Sequence, residues 1–207
     1  MPTKKYALLS VFDKEGIDEF ARGLISNGYE IISSGGTHKY LADRGIEVMD
    51  VAELTGYPPV LDHRVVTLAP QIHGGLLATE EMYPELDELN WKKIHLLAVD
   101  FYPLHQALGE RGATFESCQK KTDIGGPAMI RSANKGGETI VLITEGQREP
   151  VLEWIAAGEP DRAHVLFELS LRAERHVADY CMRSAEVYET FRHKLFPGAV
   201  GPKWIRY

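Results

Sequence analysis

Ile31-Ile32-Ser33-Ser34-Gly35-Gly36-Thr37 is the stretch from which the fold can be read. Two apolar residues end a buried strand, Ser-Ser-Gly-Gly-Thr makes a tight turn, and the residues after Thr37 begin a helix. Where a strand feeds a helix in this way, backbone N–H groups and hydroxyls converge and can hold a phosphate. The plain alternative is a strand-to-helix turn with Thr37 as N-cap and glycines serving only backbone geometry. The flanking sequence has to decide between them.

Upstream, residues 6–11 form an apolar strand, and Asp13 is expected to cap a helix with Ile17, Phe20, Ala21, Leu24 and Ile25 on one face. Asn27-Gly28 ends that helix before the strand at 29–32, which makes a βαβ unit and a parallel sheet with a right-handed crossover. Downstream, the spacing predicts a helix over 37–44 and a third strand over 46–51. The ends of the first two strands then share the carboxyl edge of the sheet, where open α/β sheets bind ligands. Residues 53–79, rich in Gly and Pro, read as a long ordered connection. A buried strand follows at 94–101, closed by Pro103, which puts Tyr102 at the carboxyl edge. Residues 114–121 and 128–134 read as helices around a second Gly-rich turn at 122–127, with Pro127 suited to a first helical position. A strand at 139–144 and helices at 147–157 and 164–195 complete the chain. The expected fold is α/β, a mostly parallel sheet flanked by helices. One domain fills residues 1–207, with a core at 1–145 and a helical elaboration at 146–207.

A chain of 207 residues that is 44% hydrophobic can bury a substantial core. Its net charge of −7, without a dense Lys/Arg cluster, argues against a nucleic-acid surface. Cys118 and Cys181 stand apart with no CxxC or Cys/His spacing, and the eight histidines show no HxxxH or HExxH pairing, so neither metal nor cofactor is expected. No apolar run is long enough to span a bilayer and no leader is apparent, so the expectation is a soluble cytoplasmic protein. The long last helix and exposed sheet edges leave room for a homodimer.

Lys14 follows the first strand as a point charge suited to a phosphate, beside Ser10, Ser34, Gly35, Gly36 and Thr37 on the same edge. Arg64, in an apolar loop with Thr67, is a second anion contact, since a lone charge would be expensive to bury there. Asp123 before Gly125-Gly126, with Lys135 at the far end of the next helix and Tyr102, offers an acceptor, backbone donors, a cation and a hydroxyl. Each has a structural alternative: Lys14 as a solvated helix-end residue, Asp123 as an N-cap, Lys135 as a complement to a helix dipole.

With these residues assembled, the chain resembles the IMP cyclohydrolase domain of the bifunctional purine-biosynthesis protein, a family with the methylglyoxal synthase fold. The matching motifs are Leu8-Leu9-Ser10-Val11 with Asp13-Lys14 and Gly16, Ser34-Gly35-Gly36-Thr37, Leu54-Thr55-Gly56-Tyr57-Pro58, and Arg64-Val65 with Thr67-Leu68 and Pro70. They continue through His73-Gly74-Gly75, Tyr102-Pro103, Asp123-Ile124-Gly125-Gly126-Pro127, Arg131 with Ala133 and Lys135, and Leu171-Arg172-Ala173 with Arg175-His176 and Tyr180. By this resemblance a stand-alone domain without the family's formyltransferase is expected. The resemblance implies closure of 5-formamidoimidazole-4-carboxamide ribotide to IMP with loss of water. Lys135 and Gly125-Gly126 would stabilise charge, Asp123 and Tyr102 would move protons, and Ser34 to Thr37, Lys14 and Arg64 would hold the phosphate. A separate formyltransferase would then supply the substrate.

Five departures mark this chain. In His63-Arg64-Val65-Val66-Thr67-Leu68-Ala69-Pro70, Val66 stands where the family has a lysine, Ala69 where it has a histidine, and His63 where it has a glycine. Phe12 replaces a serine at the phosphate end, and Asp100 replaces an asparagine, which changes the hydrogen-bond pattern offered to the base. The alternatives are a paralogue that cyclises or opens a related purine-like nucleotide, and a non-catalytic nucleotide-binding regulator.

Overall fold

The computed structural model describes residues 4–62, 64–199 and 204. His63 lies outside the described residues.

Strand β1 (Lys5–Ser10) leads to α1 (Ile17–Ser26), β2 (Tyr29–Ser33), α2 (Gly35–Ala42), the two-residue β3 (Met49–Asp50) and α3 (Val51–Thr55). Then come α4 (Pro70–Leu77), α5 (Tyr83–Glu88), β4 (Ile94–Val99), α6 (Leu104–Gly109), α7 (Phe115–Lys121) and α8 (Gly125–Gly136). Strand β5 (Ile140–Leu142), α9 (Arg148–Ala156) and α10 (Arg162–Leu195) end the chain. The five strands pair in the order β3-β2-β1-β4-β5, every pair parallel. The order reverses between β1 and β4, so their carboxyl ends flank the switch point at which such sheets bind ligands.

Alternation along the strands explains the layers. Ala7 and Leu9 of β1 enter a cluster with Phe20 and Leu24 of α1, Val151 and Ile155 of α9, and Leu166 and Leu169 of α10. Leu8, Ile32 and Leu97, fully buried, point the other way, to the face where α4 and α8 pack together and on β4. Sheet strands covered on both faces carry continuous apolar runs, as β1 and β4 do.

The chain forms two compact units, one of residues up to Phe101 with Asp123–Val177, the other of Tyr102–Thr122 with the residues from Ala178 onward. Strand β5, α9 and the first part of α10 fall in the first unit, with the sheet. In the second unit, Ala107, Cys118, Val187 and Phe191 share a small core, with Tyr188 edge-on to Phe115 at 4.9 Å.

Several boundaries move for identifiable reasons. Asp13 does not cap α1: Gly16, at φ 65, holds that position, and Asp13 instead accepts the Glu15 N–H in a local turn. The stretch at 53–79 is not one connection, since it holds the end of α3, an antiparallel bridge between Val60 and Val65, and α4. Both Gly-rich turns are absorbed into helices: α2 starts at Gly35 with Ser34 as N-cap, not at Thr37, and α8 starts at Gly125, which makes Pro127 its third residue.

Candidate active site

At the end of β1 the backbone of Val11 is clasped by Thr37, whose hydroxyl donates to the Val11 carbonyl at 2.9 Å and accepts the Val11 N–H at 3.2 Å. Ser33 donates to the Leu9 carbonyl at 2.6 Å. Neither hydroxyl is aimed at solvent; together they fasten β2 and α2 to β1. What the loop presents outward is backbone. The first bond inside α2 runs from the His38 N–H to the Ser34 carbonyl, so the N–H groups of Gly35, Gly36 and Thr37 have no partner within the helix. Gly35, at φ 52, adopts a backbone conformation that a side chain would strain.

Lys14 lies across this turn: a Cβ on Gly36 would stand 4.0 Å from its Cε. Its ammonium donates to the carbonyls of Val11 and Phe12. Burial holds its pKa below the ordinary lysine value, against the charges of Asp100 and Asp13. A cation beside a helix N-terminus places two positive features together, an arrangement completed by an anion. Ser34 is half-buried on the same turn, and Ser10 is the last residue of β1.

The other half of the edge is built on glycine. Asp123 accepts the Gly126 N–H at 3.1 Å, and the Gly125 N–H points the same way. A Cβ on Gly126 would come within 2.4 Å of the Asp123 Oδ2 and 2.7 Å of the Phe101 ring; one on Gly125 would come within 2.6 Å of the Thr67 hydroxyl. Only glycine admits these approaches. The two N–H groups expected to stabilise charge on a substrate therefore hold the Asp123 carboxylate. Burial pushes that carboxyl above its ordinary range, the two N–H groups oppose the rise, and the nearby Asp100 charge adds to it.

Asp100 closes the switch point. Its two oxygens accept the N–H groups of Phe12 and Asp13, bridging the end of β4 to the loop after β1. This carboxylate is therefore engaged by backbone rather than turned wholly toward a base. Phe12 itself is 51% exposed.

Other expected residues lie elsewhere. Arg64 is exposed in the hairpin closed by Val60 and Val65, so no cost of burial demands an anion, and among the described residues its side chain makes no hydrogen bond to the cradle. Lys135 sits in the last turn of α8, exposed, about 15 Å of helix rise from Gly125, so within one chain it does not join Asp123. Tyr102 belongs to the second unit, where its hydroxyl donates to Glu110 at 3.1 Å and Lys121 stands over its ring. Val66 is half-buried, and Ala69 is the N-cap of α4, which it serves without a side-chain bond.

Sequence reasoning missed Arg148. It is 6% exposed and lines a recess with Val11, Val99, Asp100 and Thr144. An arginine opening a helix carries no sequence signal of burial.

The MGS-like domain family matches residues 16–128. The bifunctional purine biosynthesis protein PurH of a Bacillus cereus strain is 38% identical over 181 residues, 86% of this chain and 35% of that protein. PurH of Lactobacillus acidophilus is 40% identical over 180 residues, 85% of this chain and again 35% of the relative. The chain thus spans about a third of the length of these curated relatives. Among solved structures, ForH superposes with a TM-score of 0.78 at 32% identity, covering 89% of this chain and 97% of that one. A βαβ frame with the Ser34-to-Thr37 turn, the order β3-β2-β1-β4-β5 and these matches agree: the chain belongs to the MGS-like domain family, as a relative of PurH.

Proposed function

We propose that this protein closes the six-membered ring of a purine ribotide, in the manner of an IMP cyclohydrolase. The observation that carries the reading is the pairing, on one sheet edge, of an anion-receptive turn under Lys14 with a half-buried carboxyl, Asp123, whose pKa is raised. The family resemblance names the substrate, 5-formamidoimidazole-4-carboxamide ribotide.

In this reaction the carboxamide nitrogen bonds the formyl carbon and gives up one proton, and the formyl oxygen takes one up to become a hydroxyl. That hydroxyl then leaves as water while a C=N bond forms and a ring nitrogen loses its proton. The step is intramolecular, so fixing the ribotide phosphate in the α2 turn supplies much of the rate. Asp123, with a pKa above the ordinary carboxylate range, is suited to pass the first proton from the carboxamide nitrogen to the formyl oxygen and the second from the ring nitrogen to the leaving hydroxyl.

A second reading, a related purine-like nucleotide as substrate, is favoured by Val66 and Ala69, which cannot transfer protons. Incubation with the formamido ribotide and chromatography for IMP tests the first: IMP is expected to form faster than in buffer, and formation at the buffer rate overturns it. Val66→Lys should raise IMP formation in a weakened cyclohydrolase; no change favours the second reading.

A further inference from the structure

Arg148 is a buried cation that ring closure does not use. It is the first residue of α9, and its Nη1 donates to the carbonyl of Glu15, in the loop that carries Lys14 from β1 to α1. Asp100 grips the front of the same loop through the N–H groups of Phe12 and Asp13. Residues 12–15 are thus held from two sides, by an anion on amides and by a cation on a carbonyl. Both side chains line one recess at the carboxyl edge, and among the described residues they form no ion pair within 4.0 Å.

We propose that Arg148 and Asp100 are a coupled pair of positioning residues that set the Lys14 loop against the first turn of α2, and so set the affinity of that cradle for a phosphate. The inference rests on reading the cradle as the ribotide's phosphate seat. Neither charge is cheap to bury alone, and each moderates the field at the other. Burial pushes the Asp100 carboxyl above its ordinary range, and the Phe12 and Asp13 N–H groups and then the Lys14 and Arg148 charges oppose the rise. The other charges around this carboxyl are Asp13 on the loop and Asp123 before α8. Glu145 lies on the Arg148 side, where a Cβ on Gly16 would be 3.6 Å from its Oε1 and 4.0 Å from the Arg148 Nη1. A neutral amide at position 100, the residue of the similar family, would offer one acceptor to two N–H groups and would need no counter-charge. An aspartate there makes a buried arginine chemically apt.

The test is calorimetric binding of ribose 5-phosphate to the full chain and to Arg148→Met, Asp100→Asn and the double variant. Loss of the Arg148 grip should weaken binding about tenfold, and Asp100→Asn should weaken it about fivefold, because small displacements of a positioned charge are costly. The double variant should be no weaker than Arg148→Met, since the amide leaves no unbalanced charge, whereas independent sites would multiply to about fiftyfold. Carboxyl 13C titration should show the Asp100 pKa rising in Arg148→Met. Arg148→Lys, which keeps the charge, should retain most of the affinity, and Arg148→Gln, which removes it, repeats the cycle if Arg148→Met does not fold. Multiplicative losses, an unmoved Asp100 titration, or a wild-type chain that does not bind ribose 5-phosphate would each overturn the inference. Binding is read without ring closure, so coupled losses in a chain that makes no IMP would sink the cyclohydrolase reading and leave this pair standing.

Discussion

At the amino edge of the sheet, Lys93 donates to the Ala78 carbonyl at 2.6 Å and has Glu138 at 3.9 Å, while Glu138 also accepts the Glu80 N–H at 2.7 Å and the Tyr83 hydroxyl at 2.8 Å. At the carboxyl edge, Lys14 has only carbonyls, and among the described residues no carboxylate lies within 4.0 Å of its ammonium. Both lysines are held below their ordinary pKa by burial. One edge supplies its own counter-charge and serves as a structural clasp. The other leaves its lysine without a carboxylate in direct contact, beside the first-turn N–H groups of α2, and an incoming anion would supply that contact.

The strongest challenge to this contrast is Asp123→Asn. The amide still accepts the Gly126 N–H but carries no exchangeable carboxyl proton, so turnover of the formamido ribotide should fall about 10³-fold in single-turnover assays. Stability should hold or rise. Folding raises the pKa of Asp123, so the folded state binds its proton more tightly. Stability is therefore lost as pH climbs from the ordinary carboxylate value through the raised one. At pH 7 the amide escapes that cost, which urea denaturation would show. A variant that is both inactive and unstable would move Asp123 to the structural side of the comparison.

The amino edge makes the opposite prediction with pH. His95 accepts the Tyr6 N–H through Nδ1, and burial with the Lys93 and Lys5 charges drives its pKa from 6.5 to about 4. The unfolded chain then binds the proton first, so stability is present above pH 6.5 and is lost as pH falls toward 4. At 1.36 kcal/mol per unit the loss is roughly 3 kcal/mol. Denaturation curves at pH 7 and pH 4.5, with His95→Gln flattening the difference, would check it; an unchanged midpoint would show that His95 does not link folding to pH.

How much of this was legible beforehand differs between the edges and within the site. The βαβ frame was readable because apolar runs such as Leu8-Leu9 and Ile31-Ile32 have no other home, and α10 because its apolar residues recur at helical spacing. The starts of α2 and α8 were not, since Gly-Gly argues against helix by propensity, although a first turn anchored by its neighbours needs little propensity. Thr37 was found as a residue of the cradle, but its hydroxyl binds Val11, a contact 26 residues back that no local pattern encodes. Asp100 and Arg148 act through backbone groups of a loop distant in sequence, and such partners emerge only once the sheet has placed them.

Lys14→Met tests the carboxyl edge directly. A charge-assisted hydrogen bond is worth about 1.5–3 kcal/mol, so affinity for ribose 5-phosphate or IMP should drop about 10- to 100-fold while affinity for inosine, which lacks the phosphate, stays level. Equal losses for both ligands would mean that Lys14 supports the loop rather than the phosphate.

Glu138→Gln should give the smallest effect and the cleanest separation. The amide offers one acceptor and one donor where Glu138 offers two acceptors, so either the Glu80 N–H or the Tyr83 hydroxyl loses its present bond, and Lys93 loses its counter-charge. Glu138 is partly exposed, with 31% of its side chain accessible, so water softens the loss and about 1–2 kcal/mol of stability is expected to go. Affinity for ribose 5-phosphate should stay within about twofold, because distant sites with no shared partners act independently. A fall in affinity comparable to that of Lys14→Met would show that the clasp at one edge sets the field at the other, and the division of labour between the two ends of the strands would have to be abandoned.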